Sequence, residues 1–233
     1  MKLLAADTSG PVCGIAVLDG ERVLCEYTAQ NSYTHSASLM PMAERSLESA
    51  GLTLAELDAL AVVTGPGSFT GVRIGVATIK GMAHGSGKPC IPVNALEALA
   101  FSAGGAGWNG AVCPIQDARA GQVYGACFRG EERLMEDAPL KLEEYLERVA
   151  RLPDAALLFT GDGVRPYRER IGAVLGERAR FAAGPFCYLR PSAAGILAVR
   201  KGTPVGYLDL KETYLRPPNA EKNKKLLEAM RHG

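Results

Sequence analysis

Apolar positions along this chain fall into two rhythms, short continuous or alternating runs and stripes spaced three to four apart, and they predict strands interleaved with helices. Lys2–Thr8 reads as a buried strand and Val12–Leu18 as a second. Asp19-Gly20 is a hairpin signal leading into a third strand, Arg22–Thr28. Ser36–Ala50 predicts a helix with Leu39, Met42, Ala43, Leu47 and Ala50 on one face, stopped by Gly51. Thr53-Leu54-Ala55-Glu56 spells a capping box for a short helix. A strand over Leu57–Thr64 and a helix over Thr70–Gly85 follow. A short strand then ends at Pro92-Val93, and Asn94 with Glu97 caps a helix to about Ala103.

Gly104–Gly110 holds four glycines in seven residues and reads as a linker. Beyond it, Ala111–Gln116 predicts a strand, Asp117–Gly121 a turn and Gln122–Arg129 a strand. A helix is expected over Leu140–Arg151 and a strand over Ala155–Thr160. Gly161-Asp162-Gly163 turns into a helix reaching about Leu175, and Pro191 opens another to about Lys201. Prolines 217 and 218 forbid helix there, and a polar helix is expected over Ala220–Arg231.

A faint repeat lies in this pattern. A strand, Asp7, a turn and Gly14-Ile15-Ala16-Val17 parallel a strand, Asp117, a turn and Gly125-Ala126-Cys127-Phe128. With the linker between them, they predict two related α/β halves, each a sheet flanked by helices. The expected boundaries are residues 1–103 and 111–205, with the tail 206–233 assigned to neither.

Composition narrows the class. Forty-seven per cent hydrophobic residues in 233 suit a folded chain with a substantial core. A net charge of +1 gives no sign of nucleic-acid binding by bulk electrostatics, and Lys222, Lys224 and Lys225 form the one clear basic cluster. The six cysteines include no CxxC pair, and four lie in apolar, strand-like runs, which fits a reducing compartment without disulfides. The N-terminus enters a strand at once and no apolar run approaches the ~20 residues of a membrane span, so a soluble cytoplasmic protein is expected.

The densest motif is Thr64-Gly65-Pro66-Gly67-Ser68-Phe69-Thr70-Gly71-Val72-Arg73-Ile74-Gly75. Gly65 and Gly67 free the backbone around Pro66, and Ser68 or Thr70 can cap the helix that begins here. Such a turn holds a phosphate on free helix N–H groups, or lets a helix lie close to a strand.

Together with Ala6-Asp7-Thr8-Ser9, Asp117-Ala118-Arg119, Val123-Tyr124 and Tyr214-Leu215-Arg216-Pro217, this motif resembles the TsaB (YeaZ) family over essentially the whole chain. The resemblance implies an actin-like ATPase fold of two ribonuclease H-like domains with mixed sheets flanked by helices. It also implies a non-catalytic, dimerising partner of TsaD. With TsaE, that complex transfers a threonylcarbamoyl group to the adenosine beside the anticodon of tRNAs reading codons that begin with A. TsaC makes the adenylate beforehand. ATP, ADP and metal would belong to the partner subunits, leaving no cofactor and no metal to this chain, and no membrane association is implied.

His35, His84 and His232 include no pair at helical spacing that could share a metal as the catalytic relative's histidines do. Asp7, with Thr8 and Ser9, and Asp117 match the two phosphate loops of active superfamily members, and Gly161 and Gly163 sit where adenosine would approach. Pro11 removes a donor from the first loop, however, and Arg119 crowds the second, so these residues read as a vestigial nucleotide site. An independent ATPase is the alternative. Ser68 follows glycine directly and has no nearby base in sequence, against a peptidase.

Partner recognition remains. Val72, Val76, Ile79 and Ala83 form one stripe of the second long helix, widened by Gly71, Ile74, Gly75, Thr78 and Met82. Such breadth means burial on two sides, under a partner or under a neighbouring helix. With Leu39, Met40 and Met42 of the first helix, Val72, Val76, Ile79 and Met82 are expected to form a four-helix contact with TsaD, or a homodimer when the chain is alone.

Overall fold

Two five-stranded sheets repeat one strand order. The computed structural model describes residues 1–30, 34–105 and 107–216. In the first sheet, β1 (Lys2–Asp7) pairs antiparallel with β2 (Cys13–Asp19), and β2 with β3 (Arg22–Ala29). On its other side β1 runs parallel to β4 (Ala59–Gly65), and β4 to β5 (Cys90–Asn94). In the second sheet, β6 (Ala111–Asp117), β7 (Gln122–Arg129), β8 (Glu132–Lys141), β9 (Leu157–Thr160) and β10 (Ala179–Phe181) reproduce that pattern member for member. The faint internal repeat is thus a full duplication of the sheet.

Helices α1 (His35–Ala50) and α2 (Phe69–Ser86) cover one face of the first sheet. Helices α4 (Leu142–Ala150) and α5 (Val164–Leu175) cover the matching face of the second. The caps are those the sequence spells. Gly51 ends α1 in a left-handed conformation, Ser68 accepts the Gly71 N–H to start α2, and Asn94 accepts the Glu97 N–H to start α3 (Ala95–Gly104). The Thr53–Glu56 capping box is present on its short 3-10 helix.

Three features depart from expectation. Strand β8 has no counterpart in the sequence reading, and it carries the chain through Leu140 and Lys141, so α4 starts at Leu142 and not Leu140. Strand β10 is likewise additional. The third departure concerns the helices between the sheets. Helix α3 follows β5 in sequence yet packs on β6 and β7, whereas α6 (Pro191–Lys201) follows β10 yet packs on β1 and β2. Each half therefore covers the other's sheet. Leu3, Ala5, Ala16 and Leu18 share one core with Leu96 and Leu99 of α3, Ala194 and Leu197 of α6, and Val112, Ala126 and Phe128 of the second sheet. The contact is close at Gly195, where a Cβ would lie 2.4 Å from Leu18 Cδ1.

The chain after α6 returns to the first sheet. Val205 exchanges backbone hydrogen bonds with Cys90, Leu210 is buried beside α2, and the Thr213 N–H donates to the Thr64 carbonyl at 2.7 Å. Residues 203–213 therefore associate with the first sheet, although the sequence split assigned 203–205 to the second half and left the tail unassigned. The prolines at 217 and 218, the expected helix over 220–231 and the lysine cluster lie outside the described residues.

Candidate functional site

A cleft of about 440 Å³ opens between the two sheets. One wall is the β1–β2 turn, Ser9 to Pro11, with the glycine-rich turn entering α2. The other is the β6–β7 turn, Asp117 to Arg119, with Tyr124 and Asp162. Tyr214 and Arg216 also line it. Of the expected nucleotide-site residues, Ser9 and Asp117 line this cleft, whereas Asp7, Thr8, Gly161 and Gly163 do not.

The glycine-rich turn is explained by backbone packing. Gly65 takes φ +119°, and a Cβ there would lie 2.5 Å from the Thr213 carbonyl oxygen. A Cβ at Gly67 would strike the Ser9 carbonyl oxygen at 2.4 Å. Gly71 and Gly75 let α2 settle on the first turn, since their Cβ atoms would meet Thr8 O at 2.1 Å and Thr8 Oγ1 at 2.5 Å. Thr8 Oγ1 donates to the Gly71 carbonyl at 2.7 Å, completing that seat. Of the N–H groups a phosphate would use, Ser68 gives its own to Ser9 O and Gly71 gives its own to Ser68 Oγ. Arg73 donates to Tyr214 Oη at 2.8 Å and lies 3.8 Å from the Phe69 ring centroid, which fastens the returning tail. Thr70 stays exposed at the cleft edge.

The acidic residues are held internally. Asp7 accepts the Ser9 N–H at 2.8 Å, and burial pushes its carboxyl up to about 6. Asp117 accepts from the Arg119 N–H at 2.9 Å and from Tyr167 Oη at 3.1 Å. Arg119 and Ala120 both adopt positive φ, 67° and 51°, so the second turn is held in a conformation non-glycine residues seldom take. Asp162 is pushed up to about 6 by burial, with the neighbouring Asp117 charge adding to the shift. Gly161 (φ +99°) and Gly163 sit against the Ile115 carbonyl, and a Cβ at Gly161 would lie 2.0 Å from it; their smallness serves the packing of this turn on β6. Among the described residues, no group of three or more His, Cys, Asp or Glu side chains is placed to hold a metal ion. Ser68 serves as the α2 cap, and His35 donates to the Gly10 carbonyl at 2.9 Å. Tyr124, Asp162, Tyr214 and Arg216 were not among the expected site residues, although three of them fall within the family-like motifs.

The second candidate is the outer surface of α1 and α2. Leu39, Val72, Val76, Ile79 and Met82 were expected here, but all are at most 9% exposed and pack beneath the helices against β1, β2 and β4. They belong to the core, so the breadth of the α2 stripe is met within the chain. Met40 is 41% exposed and Met42 is partly buried. The accessible face runs through Ala37, Met40, Pro41 and Glu44 of α1 and Arg73, Ala77, Gly81, His84 and Gly85 of α2. Among the described residues, a Cβ built at Gly81 or Gly85 meets nothing within 4 Å. No helix among the described residues is long and apolar enough to cross a membrane.

The family profile described as TsaD, tRNA N6-adenosine threonylcarbamoyltransferase, matches residues 23–170. A Bacillus subtilis protein named tRNA threonylcarbamoyladenosine biosynthesis protein TsaB is 34% identical over 225 residues, 95% of this chain and 96% of that one. The Escherichia coli protein of the same name is 35% identical over 161 residues, covering 65% of this chain and 68% of the relative. YeaZ from Pseudomonas aeruginosa superposes with a TM-score of 0.75 at 29% identity, over 92% of this chain and 99% of that one. A dehydratase activator from Clostridium difficile with bound ADPNP shares the fold alone, with a TM-score of 0.53 at 9% identity over 97% of each chain.

Proposed function

Because this chain belongs to the TsaB (YeaZ) family, within the wider group whose profile bears the TsaD name, we propose that it is the non-catalytic subunit that docks on and activates the TsaD transferase. It takes part in the biosynthesis of threonylcarbamoyladenosine on tRNA.

The observation that carries the docking reading is the open side of α2. A glycine inside a helix is less favourable than alanine by roughly 0.5–1 kcal/mol. Gly71, Gly75 and Gly195 are accounted for by close neighbours, whereas Gly81 and Gly85, like Gly172 of α5, have none among the described residues. A second helix approaching within the usual 8–10 Å gives those two glycines a reason. Ala77 lies one turn before Gly81, and Met40, an adaptable side chain, is exposed on α1. The surface fits a four-helix contact with the corresponding pair of TsaD, and in its absence a contact between two copies of this chain.

The chain contributes no reacting group in this reading. Asp7 and Asp117 are bonded within their own turns, and Ser68 is spent on a helix cap. ATP, ADP and metal are held by the partner subunits. TsaE and tRNA meet a surface completed by the heterodimer, in the cytoplasm and away from membranes. Activation follows if this chain binds the competent state of TsaD more tightly than the idle one.

The test is a reconstitution with preformed threonylcarbamoyl-adenylate, tRNA, TsaD, TsaE and this chain, each omitted in turn. Transfer is expected only where TsaD and this chain are both present. Transfer by this chain without TsaD, or ATP turnover by the isolated chain that disappears in Asp7→Ala, overturns the reading.

A further inference from the structure

The chain after α6 forms a third element on the face that carries α1 and α2. Helix α1 lies over β2 and β3, and α2 over β4. Val205 pairs with Cys90 of β5, on the far side of β4, and the Thr213 N–H donates to Thr64 on β4. Leu210 is buried in the core beneath α1 and α2, and Tyr207 packs against that core. Tyr207 stacks on His84 in the last turn of α2, with ring centroids 5.0 Å apart. Tyr214 meets Phe69 and Arg73 in the first two turns. Residues 207–214 therefore run antiparallel to α2 over about 16 Å, the rise between Arg73 and His84. Across the face the order is α1, α2, tail.

The exposed line of α2, in the middle, is built of small residues, Ala77, Gly81 and Gly85. Met40 stands exposed on the α1 side at 41%. On the tail side stands Leu208, at 74% the most exposed large apolar side chain among the described residues. A single leucine in water needs no explanation by itself. This one sits in a turn fixed at both ends. The N–H groups of Asp209 and Leu210 both donate to the Gly206 carbonyl, at 3.0 and 3.1 Å. Val205, before the turn, exchanges backbone hydrogen bonds with Cys90, and Leu210, at its end, is 1% exposed. The leucine is held out in water on an ordered backbone, so covering it costs little further ordering.

We infer that Leu208 is an anchor of the docking surface: the TsaD surface that meets the small-residue line of α2 extends across to the tail and takes Leu208 into an apolar pocket. The inference rests on the docking reading above and adds a third element to its two helices. Continuity assigns the occupant. Tyr207 joins the turn to His84, so a body seated closely on Gly81 and Gly85 also borders the turn. Covering Leu208 removes apolar area from water, and a few well-packed anchors carry most of the energy of such contacts.

Calorimetric titration of the whole chain with TsaD compares Leu208→Asp, Leu208→Ala, Leu208→Met and Met40→Asp. Leu208→Ala is expected to bind about fivefold or more weakly and Leu208→Asp about thirtyfold or more weakly. Leu208→Met conserves volume and apolarity and stays within about threefold of the parent. The urea midpoints of the isolated Leu208 variants are expected to match the parent, because the side chain is 74% exposed. If Met40→Asp weakens binding while every Leu208 variant binds normally, the inference falls and the helix reading stands. If all four bind normally, both fall. Sedimentation of the chain alone tests the other occupant, a second copy. A Leu208→Asp variant that loses self-association yet binds TsaD normally assigns the turn to the homodimer and overturns the inference. A lowered urea midpoint makes Leu208 a folding residue and overturns it as well.

Discussion

Replacing Gly81 by alanine separates the folding of this chain from its docking. Gly81 lies inside α2, and a Cβ there meets no described residue within 4 Å. The added methyl therefore introduces no clash, and it narrows the backbone freedom of the unfolded chain. The isolated protein is expected to gain about 0.5–1 kcal/mol. For a chain of this size, about 1 kcal/mol raises the midpoint of thermal unfolding by roughly 2–4 °C. Docking should respond in the opposite sense. A methyl group forced into a close helix–helix contact costs about 1–3 kcal/mol by overpacking, which weakens affinity for TsaD roughly 5- to 150-fold. Gly81→Leu should weaken it further. Urea denaturation of the dilute chain measures the first effect and calorimetric titration with TsaD the second. If alanine destabilises the isolated chain, the open face is misdescribed. If the alanine and leucine variants both bind TsaD normally, α2 does not form the contact.

Met40→Asp should fold normally, since the side chain is 41% exposed, yet bind TsaD at least about tenfold more weakly, read by the same titration. Ser68→Ala removes the cap that receives the Gly71 N–H and should cost about 1 kcal/mol in urea denaturation. Gly71→Ala drives a Cβ to within 2.1 Å of Thr8 O and should cost on the order of 1–3 kcal/mol, with amide exchange rising first around the α2 N-terminus. Arg178→Ala leaves the carbonyls of Ala150, Leu152 and Asp154 without their guanidinium donors; a loss of about 2–3 kcal/mol is expected, and Arg178→Lys recovers part of it.

Local chemistry made much of the fold legible. Gly51, Thr53 with Glu56, and Asn94 with Glu97 act within a turn of themselves, so their meaning survives any tertiary arrangement. Strand β8 was obscure because Glu132 to Pro139 shows no clean alternation, and an edge strand tolerates Pro139. The repeat held the missing signal. Gly20-Glu21 and Gly130-Glu131 join equivalent strands, with φ values of 60° and 58° at their glycines, and they mark where β3 and β8 begin. The site was harder for a different reason. Periodicity told that α2 is apolar around most of its circumference but not which stripe faces the sheet; Val76 lies beneath the helix and Ala77 outside it. The cleft brings Ser9 and Gly67 together with Asp117, Asp162 and Tyr214, positions too far apart along the chain for any spacing rule to join.

The crossing of α3 and α6 makes the halves of this duplicated chain mutually dependent. Severed in the glycine-rich link, either fragment would bare an apolar sheet face whose natural roof had left with the other piece. Reunion of the two is the arrangement that hides both faces. A nick in that link should consequently be survivable, whereas expression of one fragment by itself should yield insoluble material.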